Sequence, residues 1–345
     1  MDDTKPILSV QGLKKYFPVH SGFFRRQTGT VKAVDDISFD LMPGETVAMV
    51  GESGCGKTTA GRTILRLLEP DGGKVMFHGV DVAQLPAEEL RQLRRYMQII
   101  FQDPYSSLNP RQTIGQIIGG PLLLHKLVST WEEGEARAKE LLLKVGLQPS
   151  YTSRYPHEFS GGQRQRIGIA RAVAVNPDFI VCDEAVSALD VSVQAQVINL
   201  LLDLKDEFDL SYVFITHDLS VVKHIADKVV IMYLGQVVEK ASREDLFGGA
   251  RHPYTQALLS AVPRADPKAK KRRIVLQGDV PSPINPPAGC RFHTRCPLVH
   301  ARCRAEVPAA HAVSPGHAVS CHLYDGRTEA VNLANPGGIL DGLPR

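Results

Sequence analysis

The sequence predicts an α/β fold, a parallel core sheet with helices against it, organised around one phosphate-binding loop. Three observations predict it. The stretch Gly51-Glu52-Ser53-Gly54-Cys55-Gly56-Lys57-Thr58 fits G-x-x-x-x-G-K-[ST]. Short apolar runs at 45–50, 179–182 and 211–215 have the continuous apolarity of strands buried on both faces. Several runs end in polar residues, namely Gln102, Asp183-Glu184 and Thr216-His217-Asp218. Parallel α/β sheets carry their ligands beyond such strand ends.

The loop is flanked as its chemistry requires. The run 45–50 reads as a buried strand, and Thr59–Leu68 reads as a helix with an apolar stripe. Gly51, Gly54 and Gly56 let the backbone turn tightly, so that successive N–H groups and the helix N-terminus face phosphate oxygens. Lys57 is expected to reach the β- and γ-phosphates, and Thr58 to place its hydroxyl on Mg²⁺.

Composition narrows the function class. The 345 residues carry a net charge of +3, with 22% charged and 43% hydrophobic residues, as in ordinary globular proteins. That balance makes no case for a nucleic-acid binder. The one dense basic run, Lys268–Arg273, reads as a solvated connector. No apolar stretch approaches the roughly 20 residues of a membrane span. The start of the chain lacks the basic and apolar regions of a signal peptide, so a cytoplasmic location is expected.

Before the loop, residues 7–17 read as a first strand, 21–30 as a loop and 34–41 as a second strand. Phe17, rather than Tyr16, is the candidate to stack on a purine. Beyond the loop, a turn at 70–73 leads into a strand from Lys74, Leu85–Met97 reads as an arginine-rich helix, and 99–101 as a strand delivering Gln102. Residues 111–150 read as mainly helical, clearest at Trp131–Gly146, where acidic residues open the helix and glycine ends it. Ser160-Gly161-Gly162-Gln163 then opens a helix that includes Ile167–Val175, a second place where backbone N–H groups can grip phosphate. The apolar run 179–182 ends in two carboxylates. In a phosphate-loop protein the first holds Mg²⁺ and the second orients the attacking water. A helix at Val193–Lys205, a strand at Ser211–Ile215 and a hairpin around Gly235 follow.

Taken together these motifs resemble the ATP-binding subunit of ABC transporters over about residues 7–245. The order is an aromatic A-loop residue (Phe17), Walker A (51–58), Q-loop (Gln102), signature (Ser160–Gln163), Walker B (179–183), Glu184, D-loop (Ser187–Asp190) and switch His217. Within that superfamily, Arg251–Leu259, the run Pro281–Pro287 and the cysteines beyond resemble the C-terminal extension of oligopeptide and dipeptide importers. Two departures stand out: Phe159 where Leu is common, and Ala185 where the family has Pro, which frees the backbone beside Glu184.

The resemblance implies an ABC ATPase domain over 1–248, with a parallel core sheet, an antiparallel β subdomain and a helical subdomain at about 103–175. A small Cys-rich extension over 249–325 and a tail over 326–345 follow. It implies ATP held by Phe17, Gly51, Ser53, Gly54, Cys55, Gly56, Lys57, Thr58, Thr59 and Asp183. Mg²⁺ is held through Thr58, Gln102 and Asp183, and catalysis is by Glu184 with His217 and Gln102. Ser160, Gly161, Gly162 and Gln163 serve the ATP of a facing second ATPase subunit, so a heterodimer is expected. Two membrane permease subunits and an extracytoplasmic peptide-binding protein complete the implied machine, on the cytoplasmic face of a bacterial inner membrane. The activity implied is ATP hydrolysis driving peptide import. The alternatives are import of nickel, haem or another small solute, or a soluble ABC ATPase.

Of six cysteines, Cys55 and Cys182 read as small fillers. Cys290, Cys296, Cys303 and Cys321 crowd into the last 56 residues as C-x5-C-x6-C-x17-C. In a reducing compartment, four clustered thiols suggest a metal, and a Pro- and Gly-rich segment with few large apolar residues is in need of a staple. Zinc usually takes tight C-x2–4-C pairs, which are missing here. Looser spacing suits a [4Fe–4S] cluster better, and the resemblance points the same way. Zinc, with His293, His300, His317 and His322 as spare ligands, and free thiols remain the alternatives.

Overall fold

The computed structural model describes residues 5–21, 26–262, 273–326, 328, 329, 331 and 333. Most of the basic run from Lys268 and most of the tail lie outside them. In chain order the elements begin with β1 (Leu8–Ser21), β2 (Arg26–Leu41), β3 (Thr46–Val50), α1 (Lys57–Ile64), β4 (Gly72–Phe77), β5 (Val80–Asp81), α2 (Ala87–Leu93) and β6 (Met97–Ile100). Then come α3 (Pro104–Ser107), α4 (Ile114–Leu124), α5 (Trp131–Lys144), α6 (Gly161–Val173), β7 (Phe179–Asp183), α7 (Val191–Phe208), β8 (Ser211–Thr216) and α8 (Leu219–Ile225). The chain continues with β9 (Lys228–Tyr233), β10 (Gln236–Ser242), α9 (Arg243–Gly249), α10 (Pro253–Ala261), α11 (Ala301–Ala305), β11 (Ala310–Ser314) and β12 (His317–Ser320).

These elements form two compact units. One comprises residues 1–8, 41–46 and 77–216. Its sheet is parallel: β6 pairs with β7 (Met97 opposite Phe179) and β7 with β8 (Asp183 opposite Ile215). Phe179, Ile180, Val181 and Cys182 are completely buried, which is why this strand reads as an unbroken apolar run. Each such side chain contributes roughly 1.5–3 kcal/mol by leaving water. The helices α3 to α6 belong to this unit. Thr113 and Gln116 close a capping box at the start of α4, and Thr130 caps α5 with Glu132 and Glu133 in its first turn.

The other unit comprises residues 9–40, 47–76 and 217–345. Here β2, β1 and β4 lie side by side, and β3 runs parallel to β9 (Val47 opposite Lys228). β10 turns back on β9, and β12 pairs with β10 (Glu239 opposite Val319), with β11 beyond it. The core of this unit gathers Ala48, Val50, Val222, Val229, Ile231, Tyr233, Tyr254 and Phe292.

The C-terminal residues cluster with β3, β9 and β10, because β12 continues their sheet and Phe292 packs into their core. The first two strands are longer than their apolar patterns suggested, and the arginine-rich helix is shorter, ending at Leu93.

Candidate functional site

The phosphate-binding loop runs from the end of β3 to α1. Gly56 has φ 104° and Gly54 φ 80°, backbone that an L side chain rarely adopts. A Cβ on Gly56 would also collide with the Ala33 carbonyl. Gly56, the residue that precedes α1, offers no side chain to cap the helix. The buried ammonium of Lys57 donates to the carbonyls of Gly51 (2.8 Å) and Glu52 (3.1 Å), arched over its own loop. Thr58 and Thr59 are half-buried in the first turn of α1, Ser53 is exposed, and Cys55 is buried beneath, where burial pushes its thiol up.

In the other unit, β7 delivers Asp183, which is 1% exposed, and Glu184 follows. Glu184 has φ 47°, left-handed and unusual for a non-glycine residue. The backbone there is pinned rather than loosened. Its N–H donates to the Ile215 carbonyl (3.0 Å), and its own carbonyl accepts from the Ser187 N–H (3.1 Å) and hydroxyl (2.9 Å). The freedom expected from Ala185, which is 2% exposed, is therefore removed by hydrogen bonding. Gln102, two residues beyond β6, donates from its amide to the Glu184 carboxylate at 2.8 Å. Parallel pairing of β6 with β7 brings the two strand ends together, as the strand-end argument anticipated.

Ser160 and Gln163 form a reciprocal capping box at the start of α6: the Gln163 side chain accepts from Ser160 N–H (3.0 Å), and the Ser160 hydroxyl accepts from Gln163 N–H (3.4 Å). Gly161 is exposed, and a Cβ on Gly162 would press on Val193. Behind them Arg164 donates to the carbonyls of Pro156 (2.6 Å) and His157 (3.2 Å), and its guanidinium lies 3.5 Å from the Tyr105 ring centroid. His217 is exposed just past β8. Phe17, on β1, is half-buried, with the Lys15 ammonium 5.4 Å from its ring. Tyr16 is committed elsewhere, its hydroxyl donating to Asp35.

Sequence reasoning missed a second set of contacts to the loop. The hydroxyl of Tyr254, on α10, accepts from the Glu52 N–H at 2.9 Å. Arg295 forks onto the Glu52 carboxylate at 2.7 and 3.2 Å. Buried Arg291 bridges Asp35 and the Leu234 carbonyl. No local signal marks these residues, since more than 200 positions separate Glu52 from Tyr254 and Arg295.

A family model described as "ABC transporter" matches residues 34–187, and one described as "Oligopeptide/dipeptide transporter, C-terminal region" matches residues 238–303. The chain is 54% identical over 321 residues to the oligopeptide transport ATP-binding protein AppF of Bacillus subtilis (strain 168), covering 92% of this chain and 97% of that one. The chain belongs to the ABC transporter ATP-binding family. It is also 52% identical to a probable peptide ABC transporter ATP-binding protein of Sinorhizobium fredii, covering 92% of this chain and 90% of the relative. Among solved structures, the ATP-binding cassette MJ0796, a dimer in a post-hydrolysis state bound to ADP and Pi, matches with a TM-score of 0.61. That match has 27% identity and covers 68% of this chain and 98% of MJ0796. As a member of this family the chain is an ATPase that takes Mg²⁺ with its nucleotide. Among the described residues no helix is long and apolar enough to cross a membrane.

The four C-terminal cysteines do approach one another. Cys290 N–H donates to the Cys303 carbonyl at 2.9 Å, and Cys296 packs against the apolar cluster that includes Cys321. Burial raises the thiol pKa of Cys290, that of Cys296 to about 12, and that of Cys321. A charge on Cys290 or Cys303 would raise that of Cys296 further, and Cys321 responds to all three others. Among the described residues, however, no group of three or more His, Cys, Asp or Glu could hold a metal ion. The described geometry therefore supports neither the expected iron–sulfur cluster nor zinc at these cysteines. Three of the four nearby histidines are engaged elsewhere: His317 with buried Glu239 (2.8 Å), His322 with the Glu306 carbonyl (3.0 Å) and His293 with the Cys290 carbonyl (2.8 Å), whereas neither ring nitrogen of His300 has a hydrogen-bond partner.

Proposed function

We propose that this ABC ATPase powers the import of di- and oligopeptides across a bacterial inner membrane. It would work as a peripheral subunit paired head to tail with a second ATPase subunit and docked on two permease subunits fed by a peptide-binding protein. The observation that carries this reading is the C-terminal region, whose match to the oligopeptide/dipeptide transporter model lies outside the ATPase motifs. The name of the Bacillus relative, which is aligned along nearly its whole length, supports it.

In this reading the backbone of Gly51–Thr59 and the ammonium of Lys57 bind the triphosphate, with Phe17 stacking on the adenine. Thr58, Asp183 and Gln102 would hold Mg²⁺, which would supply charge neutralisation of the phosphates when bound. Glu184 orients a water for in-line attack on the γ-phosphorus, the bond to the β-bridging oxygen breaks, and ADP and phosphate leave. His217 contacts the γ-phosphate or that water. Gln102, hydrogen-bonded to Glu184, reports the occupancy of the site to the loop that follows it. Ser160–Gln163 grip the nucleotide of the facing subunit. Cys290, Cys296, Cys303 and Cys321 would hold a structural [4Fe–4S] cluster.

Purification from mild detergent should bring down a second ATPase and two permeases. The isolated chain should hydrolyse ATP poorly, and adding those partners should raise its rate. Full activity in a dilute monomer, independent of concentration, would sink the composite site.

A further inference from the structure

The stretch Cys290–Cys296 is short, and both of its ends are thiols of the four-cysteine group. Between them it makes two tight turns, with His293 N–H donating to Cys290 carbonyl (3.0 Å) and Arg295 N–H to Phe292 carbonyl (3.0 Å). It is anchored by Phe292, which is 1% exposed and packed edge-on against Tyr233 (ring centroids 5.3 Å apart) and tilted against Tyr254 (5.4 Å). From that anchor two arginines reach the neighbourhood of the phosphate-binding loop. Arg295 takes the Glu52 carboxylate in a two-pronged pair, with its side chain 9% and that of Glu52 27% exposed. Arg291 holds Asp35 and the Leu234 carbonyl, and the adjoining Gly235 N–H donates to the Cys55 carbonyl at 2.9 Å.

Glu52 is the second residue of a loop that must accept a polyanion. An uncompensated carboxylate there repels triphosphate, and a planar fork is the geometry that both neutralises it and fixes its direction. We propose that Arg295 is a positioning residue for nucleotide binding. Through Glu52, and with the Tyr254 hydroxyl on the Glu52 N–H, the C-terminal segment sets the shape and charge of the phosphate-binding loop. The ATP site of this chain is thus completed by residues far outside the ATPase motifs. The proposal rests on reading residues 51–58 as the nucleotide site.

The test uses the full-length chain and a fluorescent ATP analogue, with thermal melting to establish folding. Arg295→Met should weaken binding about tenfold, the scale of losing a charge-assisted pair. Arg295→Lys, which cannot fork, should fall between it and wild type. The double variant Glu52→Gln/Arg295→Met should regain most of the loss, because the unpaired carboxylate goes with the arginine. In the assembled transporter Arg295→Met should raise KM for ATP with kcat within about twofold, as expected for an interaction made equally in ground and transition states. Wild-type affinity in folded Arg295→Met, or a double variant no better than the single one, overturns the proposal. If Arg295→Met does not fold, Arg295→Lys and the double variant decide by the same criteria. Lys57→Ala is the control: if it still binds ATP normally, it is the nucleotide-site reading that fails.

Discussion

The side-chain amide of Gln102 donates to the carboxylate of Glu184 across 2.8 Å, although the two residues are 82 positions apart. Parallel pairing of β6 and β7 sets up this contact, and the amide aims the Glu184 carboxylate. Glu184→Gln should therefore keep the hydrogen-bonded shape and ATP binding while turnover drops by about 100-fold or more. Phosphate release and nucleotide retention, measured together in the assembled transporter, check this; a normal rate would remove Glu184 from its role.

The left-handed backbone of Glu184 makes a second expectation. At φ 47° a Cβ is strained by about 1 kcal/mol, which glycine avoids. Glu184→Gly should melt higher than Glu184→Ala, with both inactive. Equal stability of the two would mean that the conformation relaxes once the carboxylate is gone.

Acid sensitivity should trace to His252. It is 1% exposed, and burial lowers its pKa from 6.5 to about 4, opposed in part by Glu239. Between pH 6.5 and 4 the unfolded chain binds a proton that the native one refuses, so this stability is complete above pH 6.5 and drains away as pH falls towards 4. The contribution is on the order of 3 kcal/mol. The ring nitrogen also caps α10 by accepting the Tyr254 N–H at 3.1 Å. His252→Asn keeps a capping side chain and should flatten the pH dependence of unfolding free energy in that window. An unchanged slope would assign the acid sensitivity to other groups.

For the cysteines, anaerobically purified protein should be brown, with near-equal iron and acid-labile sulfide, and Cys296→Ser should lose the colour. Colourless anaerobic protein would dispose of the cluster and leave the ATPase untouched.

Much of the ATP site was legible because its parts are local. The phosphate-binding loop, the capping box at Ser160 and the two carboxylates after an apolar strand each carry their reason within a few residues. Strand ends such as Gln102 and Glu184 could be paired in advance because parallel strands deliver their C-termini to one edge. What stayed hidden was set by distant partners. The helix expected through Met97 stops at Leu93 because Met97 is claimed by pairing with Phe179. Arg295 and Glu52 lie 243 positions apart, and nothing near either one announces the other. The four cysteines could be counted from the sequence, but their arrangement depends on how 290–321 folds against β10.

The pairing of β12 on β10 has a consequence for how this protein can be cut. Without residues beyond 248, β10 would present a row of unsatisfied N–H and C=O groups to solvent, the sticky border by which sheets recruit strangers. It would also strand Glu239, fully buried and otherwise held by the Arg251 and His252 N–H groups and by His317. A truncated ATPase core of this chain is thus a template for aggregation, and the C-terminal hairpin serves as its selvedge.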